Sequence, residues 1–246
     1  MSNIAFVAAR MGSERMPGKV LKQLAGIPSL VHIFNILKET KKIDGFIVLT
    51  TVLREDDIIC DVCEKHSVKF FRGSVNDVLD RFKVAAELLK PERLIRVTGD
   101  DPLMDPEIID RVIDEHCKGE YDYTSNIVDR TYPRGMDTEV IEYDALEKSW
   151  RSTSDNDDKE HVTLYIRRHP ELFKIHSVKK EGTPLDHLRL CLDTEEDLKL
   201  ISEIYNNIYL NRPIRLAEVI EFLDKNPGLK KINSNIQQKC VKGKIF

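Results

Sequence analysis

The chain of 246 residues is long enough for one α/β domain, and 41% hydrophobic with 33% charged residues is typical of a soluble globular protein. A formal charge of −4 argues against general nucleic-acid binding, which needs a basic surface. No apolar run approaches the roughly 20 residues of a membrane span, and a secretory leader is missing. We therefore expect a cytoplasmic protein with neither nucleic-acid nor membrane partners.

The cysteines are scattered and odd in number, which does not fit a disulfide framework. They are Cys60, Cys63, Cys117, Cys191 and Cys240. The spacing Cys60-x-x-Cys63 with a following His66 is that of half a metal site, but no second pair completes a zinc tetrahedron. Cys63 and His66 share a helical face with Ile59 and Val62, so we interpret this segment as buried and structural.

Six consecutive apolar residues at 4–9 predict a buried strand, which is followed by a loop rich in glycine and cations. Gly12 and Gly18 let the backbone approach a ligand or adopt positive φ. The loop cations, which could hold a polyphosphate, are Arg10, Arg15 and Lys19. The loop is not a Walker loop, because no Gly-Lys-Ser/Thr follows, and it is not a dinucleotide fingerprint, because Gly-x-Gly-x-x-Gly is absent. A basic surface turn is the alternative interpretation.

Strands and helices alternate through the first half of the chain. Apolar runs predict further strands at 46–51, 68–71 and 94–97. Apolar periodicity predicts helices around 30–37, 55–66 and 78–89, and another helix with Asp105 as N-cap and Pro106 as its first residue. This alternation predicts a mostly parallel sheet with helices on both faces.

An acidic loop containing Asp100 and Asp101 follows the strand at 94–97. Ligands of open α/β sheets bind beyond the carboxyl ends of the strands, so we expect this loop to face the basic loop after residue 9. Adjacent carboxylates at such a place can hold Mg²⁺ together with substrate phosphates. A turn closed by an Asp side chain is the alternative.

The alternation ends near residue 121. Short strands are predicted at 121–126 and 138–143, helices at 144–152 and 157–168, and an apolar segment at 172–176. We expect residues 121–180 to form an arm inserted into a single domain of residues 1–246. Such an arm would act as a lid or a dimer contact, and would help to select the acceptor.

The chain is then expected to return to the sheet with a strand at 188–192. Thr194 and Asp197 have the spacing of a variant capping box at the start of the next helix. Asp193, at the end of the strand, has no such structural explanation. It is therefore the second candidate metal ligand beside Asp100.

Three segments, 8–19, 99–103 and 192–198, together resemble the cytidylyltransferases that activate sugar acids as CMP derivatives, the family of CMP-Kdo and CMP-sialic acid synthetases. Segments 73–82, 132–140 and 160–163 are similar to the spore coat polysaccharide biosynthesis protein F branch. The resemblance implies a Rossmann-like three-layer nucleotidyltransferase fold, α/β in class, with a protruding dimer arm and hence a homodimer. It also implies transfer of CMP from CTP to a sugar-acid acceptor, with Mg²⁺ as cofactor and release of pyrophosphate, for surface polysaccharide biosynthesis.

The resemblance further assigns roles to individual residues. The implied nucleotide-binding residues are Ala8, Arg10, Gly12, Ser13, Arg15, Lys19, Arg72, Arg81 and Thr98. The implied catalytic residues are Arg10, Lys19, Asp100 and Asp193, and the two aspartates are the implied metal ligands. The candidate acceptor contacts are Asn126, Arg134, Asp137, Glu139 and His161. For His161 a helix-capping role is the alternative, and for the loop and strand-edge residues ordinary surface polarity is the alternative.

The chemistry follows from charge, because a triphosphate repels an incoming hydroxyl oxygen until its own charge is neutralised. Loss of one cation is expected to slow turnover by roughly one to two powers of ten. Three other functions stay open. They are a nucleotidyltransferase that uses UTP or dTTP and a sugar phosphate, a nucleotide-sugar glycosyltransferase and a non-catalytic nucleotide-sensing module. The glycosyltransferase is disfavoured because Asp100-Asp101-Pro102 is not an Asp-x-Asp motif.

Overall fold

A computed structural model describes residues 2–238 of the protein. Cys240 and the end of the C-terminal tail, which the sequence leaves without an assigned function, lie outside the described residues. In the described part of the chain no helix is both long and apolar enough to cross a membrane.

Most of the strands belong to one sheet. In chain order they are β1 (Asn3–Ala8), β2 (Gln23–Leu24), β3 (Ile27–Pro28), β4 (Gly45–Thr51), β5 (Lys69–Gly73), β6 (Arg93–Thr98), β7 (Tyr123–Ser125), β8 (Glu139–Glu142) and β9 (Ile175–Ser177). Within residues 2–238 seven of them form a sheet of order β5-β4-β1-β6-β8-β7-β9, and β2 pairs with β3 in a separate hairpin. The sheet from β5 to β6 is parallel, β8 is antiparallel to both its neighbours, and β9 is parallel to β7. The prediction of a mostly parallel sheet is confirmed.

Several helices begin at a residue whose side chain caps the first turn. The helices are α1 (Ser29–Glu39), α2 (Asp57–Lys65), α3 (Val78–Leu89), α4 (Pro106–Cys117), α5 (Tyr143–Ser152), α6 (Asn156–Glu160), α7 (Leu164–Arg168), α8 (Glu195–Ile208) and α9 (Leu216–Lys225). Asp105 caps α4 by accepting a hydrogen bond from the Glu107 N–H at 3.0 Å. Thr194 and Asp197 form the predicted capping box of α8. Both capping predictions are confirmed.

Alternating side chains of β1 divide the core into two layers. Ala5 and Val7 pack with residues of α1, α2 and α4 on one face of the sheet, and Phe6 packs with residues of α3 and α5 on the other face. The side chains of α8 and α9 form a third cluster with Leu24 of the hairpin and with Leu190. The sheet is therefore covered on both faces, and the third cluster lies beside the loops that carry the candidate site.

The strand predicted at 188–192 is wrong, because among the described residues 2–238 this segment makes only a single bridge, between Arg189 and Arg134. Leu188, Leu190 and Leu192 are buried in the third cluster or beside it, which explains their apolar alternation without a ladder of strand hydrogen bonds. The chain thus does not return to the sheet here.

The helix predicted at 157–168 is also wrong as a continuous element. It is divided into α6 and α7, and between them Val162 has φ 25°, which is incompatible with an unbroken helix. Val162 is fully buried, so its side chain packs in the core at the point where α6 and α7 are separated. The apolar segment at 172–176 overlaps the beginning of β9.

Residues 121–180 lose the parallel alternation as predicted, and their strands β7, β8 and β9 extend the main sheet. The helix α5 packs on α3, where the Trp150 indole N–H donates to Asp80 at 3.0 Å. A role of this segment in dimer contacts or acceptor choice stays a prediction.

The Cys60-x-x-Cys63 segment is structural, as expected. Both thiols are buried and free, and burial raises the pKa of Cys63 to about 12. His66 follows the end of α2, and its ring lies 6.2 Å from the ring of Phe34.

Candidate active site

The candidate residues converge on one edge of the sheet. The parallel strands β1, β4, β5 and β6 end there, and the antiparallel β8 begins there. The loops after Ala8 and after Thr98 are joined directly, because the Gly99 N–H donates to the Ala8 carbonyl oxygen at 2.8 Å. A Cβ at position 99 would lie 2.7 Å from that oxygen, so the approach requires glycine. The basic and acidic loops therefore face the same crevice.

The basic loop after β1 is held by its own backbone. Ser13 and Gly18 both donate their N–H groups to the Met11 carbonyl oxygen at 2.8 Å, and Gly18 has φ 68°. Met16 is buried in the third cluster, which anchors the middle of the loop. Gly12 packs so closely on the Glu55 side chain that a Cβ there would lie 2.8 Å from its Oε1.

Asp56 fixes the beginning of the loop, and sequence reasoning missed it. This fully buried carboxylate accepts the Met11 N–H at 2.7 Å and the hydroxyl of Thr51 at the end of β4. In the sequence Asp56 resembles an ordinary acidic residue near a helix N-terminus, so no local signal indicates this long-range contact.

Lys19 lies between the two predicted metal ligands. Its Nζ donates to Asp193 Oδ1 at 2.5 Å and also to Asp100 Oδ2. The two carboxylates come from separate loops, 93 positions apart in the sequence (193 − 100), yet they contact one ammonium group. The structure therefore brings Lys19, Asp100 and Asp193 together, as the sequence predicted.

Asp193 has two further cationic partners. The guanidinium groups of Arg15 and Arg189 donate to Asp193 Oδ2 at 2.8 and 2.9 Å. Burial alone would raise the pKa of Asp193, but Lys19, Arg15 and Arg189 more than offset it and lower the pKa to about 2. Asp193 is thus ionised at neutral pH. The same two carboxylates raise the pKa of Lys19 against its burial, so the ammonium is charged too.

Asp101 has a different hydrogen-bond partner from Asp100, although the two residues are adjacent. It is buried and accepts a hydrogen bond from the Thr98 hydroxyl at 2.5 Å. Burial, together with the neighbouring charge of Asp100, raises the pKa of Asp101 well above its usual range. The structure therefore separates the adjacent pair into one carboxylate that contacts Lys19 and one that is buried and bonded to Thr98.

Asp100 and Asp193 fit a magnesium ion, because both present carboxylate oxygens to a single cationic centre and oxygen is the ligand that Mg²⁺ prefers. A second group within residues 2–238 combines Asp193 with Cys191 and Asp197. Burial raises the pKa of Cys191 well above its usual range, and Asp197 is occupied by Arg189, so this group does not fit a metal. Asp100 and Asp193 are the better pair.

Two arginines predicted for nucleotide binding support loops around the crevice. Arg72 donates to the carbonyl oxygens of Thr51 and Leu53 at 2.9 and 2.8 Å, and its guanidinium pairs with Asp57 at 2.7 Å. Arg81 is buried and donates its Nε–H to the Ser74 carbonyl oxygen at 3.0 Å. Burial and the neighbouring Arg10 lower the pKa of Arg81 to about 10.

Three of the predicted acceptor contacts are engaged in internal bonds. Asn126 is buried and bridges the Met136 carbonyl oxygen and the Thr138 N–H, at 2.6 and 2.9 Å. Asp137 forms a two-pronged ion pair with Arg130, at 2.6 and 2.8 Å.

Glu139, the third, is fully buried. It accepts hydrogen bonds from Tyr123 and Thr163 at 2.5 and 2.6 Å and from the guanidinium of Arg96. Burial by itself would raise the pKa of Glu139, but Arg96 and these donors hold it below its usual value. The carboxylate therefore joins the sheet to the α6–α7 segment.

Arg134 and His161 are the acceptor candidates with more open positions. Arg134 is partly exposed, and no residue in 2–238 forms an ion pair with its side chain. Burial and the nearby Arg130 lower the pKa of Arg134. Burial and the charges of Arg96 and Arg167, only partly offset by Glu160, lower the pKa of His161.

The family is identified by comparison with known proteins. The sequence profile described as Cytidylyltransferase matches residues 4–220. The chain belongs to the cytidylyltransferase family. It is 36% identical over 234 residues to the spore coat polysaccharide biosynthesis protein SpsF of Bacillus subtilis (strain 168), covering 92% of this chain and 96% of SpsF.

Solved structures agree with this assignment. A cytidylyltransferase from Leptospira borgpetersenii has a TM-score of 0.90 at 30% identity and covers 98% of this chain and 100% of its own. CMP:2-keto-3-deoxy-manno-octonic acid synthetase, solved with CTP, has a TM-score of 0.64 at 15% identity and covers 83% of this chain and 98% of its own, which shows the fold alone. This cytidylyltransferase is therefore a nucleotidyltransferase enzyme with the predicted α/β fold.

Proposed function

We propose that this cytidylyltransferase transfers CMP from CTP to the hydroxyl of a sugar acid, with Mg²⁺ as cofactor and pyrophosphate as the second product. The observation that carries the proposal is the position of Asp100 and Asp193 on the two sides of the Lys19 ammonium, next to the basic loop. This arrangement combines two oxygen ligands for a divalent cation with a set of cations for a triphosphate.

The cations of the basic loop would bind the triphosphate in the proposed reaction. Lys19 and Arg15 are within reach of the carboxylates and would turn toward the phosphates. Arg10 is exposed, and no residue in 2–238 forms an ion pair with it, which leaves its charge available to the nucleotide. Held in this way, the triphosphate presents its α-phosphorus to the acceptor hydroxyl, opposite the pyrophosphate leaving group.

When bound by Asp100 and Asp193, Mg²⁺ would supply Lewis-acid polarisation of phosphate oxygens. The chain itself contributes the orientation of both carboxylates. The neighbouring cations lower the pKa of Asp193 to about 2, so this carboxylate is ionised and would be able to hold the ion.

A sugar acid is the proposed acceptor because Arg134 lies near Arg130 without an ion-pair partner in the described residues, and a carboxylate would complement this charge. The relative SpsF is named for polysaccharide biosynthesis, which agrees with an activated sugar product. His161 is a second candidate contact for the acceptor. Assembly as a homodimer through residues 121–180 belongs to the same proposal.

Transfer from UTP or dTTP to a sugar phosphate is the alternative, because the same loop and carboxylates would serve it and Arg134 could equally contact a phosphate. Membership of the cytidylyltransferase family favours CTP and argues against a glycosyltransferase or a sensing module.

Pyrophosphate release measured with CTP, UTP, dTTP, ATP and GTP, with and without Mg²⁺, tests the proposal. Each nucleotide is combined with a panel of sugar acids and a panel of sugar phosphates. We expect release only with CTP, Mg²⁺ and a sugar acid. Release with UTP or dTTP and a sugar phosphate would establish the alternative instead.

Nucleotide binding can be tested without knowing the acceptor. Saturation to 100 times the dissociation constant stabilises a protein by about 2.7 kcal/mol, which is several degrees in melting temperature. We expect CTP with Mg²⁺ to give this shift, and Asp100→Asn to remove its dependence on Mg²⁺. Asp114→Asn, at an exposed carboxylate paired with Lys42, is the matched control and should behave as the unchanged protein.

A further inference from the structure

Arg189 joins Asp193 to the beginning of α8. Its Nε donates to Oδ1 and Oδ2 of Asp197 at 2.9 and 3.1 Å, and its Nη2 donates to Asp197 Oδ2 at 3.0 Å. The same Nη2 donates to Asp193 Oδ2 at 2.9 Å. The Arg189 side chain is only 6% exposed and that of Asp197 is 0% exposed. Arg189 is therefore ion-paired with both of these carboxylates.

Asp197 is itself fixed by several donors. Its Oδ2 accepts the backbone N–H groups of Asp193 and Thr194, both at 3.1 Å. The carboxylate thus holds both the guanidinium that contacts the Asp193 side chain and the backbone from which that side chain extends. Such doubly anchored contacts restrict the direction in which Asp193 presents its oxygens.

The C-terminal segment, which we define as residues 233–238, completes the arrangement. The Asn233 side-chain amide donates to the Arg189 carbonyl oxygen at 3.0 Å and to Asp197 Oδ1 at 2.8 Å. The Gln238 side-chain oxygen accepts from Arg189 Nη1 at 2.7 Å. The C-terminal segment therefore contacts both the backbone and the side chain of Arg189. This segment lies beyond the residues that match the family profile.

The three cations on Asp193 differ in their freedom to leave it. Arg15 and Lys19 belong to the basic loop, and the Arg15 side chain is 28% exposed. In the proposed function both are needed by the triphosphate. Arg189 is buried and bonded to Asp197, so of these three cations it has the least freedom to leave Asp193.

We propose that Arg189 is the positioning residue that keeps Asp193 directed at the metal during nucleotide binding, and that the C-terminal segment supports it through Asn233 and Gln238. This inference rests on the proposed function, because it concerns the cation that Asp193 and Asp100 would hold. Position 189 requires arginine, because a planar guanidinium can donate to one carboxylate from two nitrogens and to a second carboxylate from one of the same nitrogens. Lysine keeps the charge but cannot make both contacts in this geometry.

The test is the affinity for Mn²⁺, which carboxylates bind as they bind Mg²⁺, measured from the electron paramagnetic resonance of the free ion. The full-length protein is titrated with Mn²⁺ in the presence of an equal concentration of CTP and no acceptor, and the Mn²⁺ that CTP binds by itself is measured in a titration without protein and subtracted. Loss of an outer support of a metal ligand lowers metal affinity by about 10–100-fold. We expect Arg189→Lys to weaken Mn²⁺ binding by about tenfold or more, while CTP binding without metal is unchanged.

Arg212→Lys is the matched control, because Arg212 also grips a carboxylate with a fork, that of Glu218 at 2.8 and 2.6 Å, at the beginning of another helix. It should leave Mn²⁺ affinity unchanged. Asn233→Ala provides a second variant that keeps Arg189 in place, and we expect a smaller loss of Mn²⁺ affinity. In the double variant Arg189→Lys, Asn233→Ala the two losses should not add, because both act through one network.

The outcomes are distinguishable. If the unchanged protein binds Mn²⁺ no more tightly with CTP than without it, the proposed function fails and the inference fails with it. If the unchanged protein binds Mn²⁺ with CTP, and both Arg189→Lys and Asn233→Ala bind it equally well despite lower melting temperatures, only the inference is overturned. Arg189 then has a purely structural role.

Discussion

The Lys19 ammonium lies 2.5 Å from Asp193 Oδ1 and also contacts Asp100, so a cation of the protein itself stands between the two proposed metal ligands. A divalent ion entering between these carboxylates must displace this ammonium, and the charge repulsion at close range is several kcal/mol at a partly buried site, roughly. A triphosphate that attracts Lys19 would relieve the competition. Nucleotide and metal are thus expected to promote each other's binding.

We predict that Lys19→Met tightens Mn²⁺ binding to the nucleotide-free protein by about tenfold, since one competing charge is removed. Turnover should fall by about 10–100-fold, because the triphosphate loses a charge-assisted contact. Paramagnetic resonance and pyrophosphate release measure the two effects. Arg10→Met is the control, because Arg10 does not contact the carboxylates and its loss should leave nucleotide-free Mn²⁺ binding unchanged. Unchanged or weaker Mn²⁺ binding in Lys19→Met would contradict this competition.

Asp56 is predicted to determine the shape of the basic loop, since it accepts the Met11 N–H at 2.7 Å and the Thr51 hydroxyl in a fully buried position. Asp56→Ala leaves these donors without a partner, and we expect the free energy of unfolding to fall by about 2–3 kcal/mol. The KM for CTP should rise by about tenfold. Urea denaturation and steady-state kinetics measure these changes.

The neighbouring Asp57→Ala serves as the control for that prediction. Asp57 is more than half exposed and pairs with Arg72 at 2.7 Å, so its loss should lower the free energy of unfolding by less than about 1 kcal/mol. Equal effects of the two substitutions on stability and KM would show that Asp56 has no special part in the loop.

The buried pair of Glu139 and Arg96 is predicted to make stability depend on pH. The folded-state pKa of Glu139 lies below its ordinary value of 4.5, so its stabilising effect is complete above about pH 4.5 and declines as the pH falls below that value. Glu139→Gln leaves Arg96 without its counter-charge, and we expect a loss of about 3 kcal/mol at pH 7. The difference in unfolding free energy between the two proteins should shrink in acid.

Denaturation at several pH values between 3 and 7 measures this difference. Glu142→Gln is the control, because Glu142 pairs with Arg93 at a more exposed position and should have a smaller effect. A difference between Glu139→Gln and the unchanged protein that stays constant down to pH 3 would refute the assigned pH dependence.

Gly135 is predicted to be required for the close approach of the Arg134 and Leu190 segments. It has φ 96°, and a Cβ there would lie 2.5 Å from the Leu190 carbonyl carbon and oxygen. Gly135→Ala adds this backbone clash to the strain of positive φ, so we expect a loss of about 3 kcal/mol or more. Thermal denaturation is the measurement.

Gly182→Ala isolates the strain alone, because Gly182 has φ 74° and an added Cβ would have no heavy atom of residues 2–238 within 4 Å. It should destabilise by only about 1–2 kcal/mol. If Gly135→Ala is no worse than Gly182→Ala, the segment has room to move and the approach is not tight.

Much of the fold follows from local sequence. The alternation of apolar runs and helical periodicity predicted the parallel part of the sheet, and Asp105 and Thr194 predicted two helix starts. These signals act over a few residues, through side-chain periodicity and capping hydrogen bonds, so they can be read without knowledge of the partner segments. The basic loop and the acidic loop were likewise predicted to meet, because both follow parallel strands.

Other features depend on the tertiary structure. Leu188, Leu190 and Leu192 alternate in the sequence as in a strand, but Arg189 and Cys191 between them are buried as well, and the bridge described for this segment is a single one to Arg134. Asp100 and Asp101 are chemically identical neighbours, and only the tertiary structure gives one of them Lys19 and the other Thr98 as its partner.

The contacts of Asp56 and Arg189 in the site could likewise not be predicted from local sequence. Asp56 contacts the loop 45 positions earlier in the chain, and the backbone of Arg189 is held by Asn233, 44 positions later. Sequence determined which charges are present and at which edge of the sheet they gather. The long-range packing of the chain decided which of them touch, because those contacts depend on geometry that no local pattern encodes.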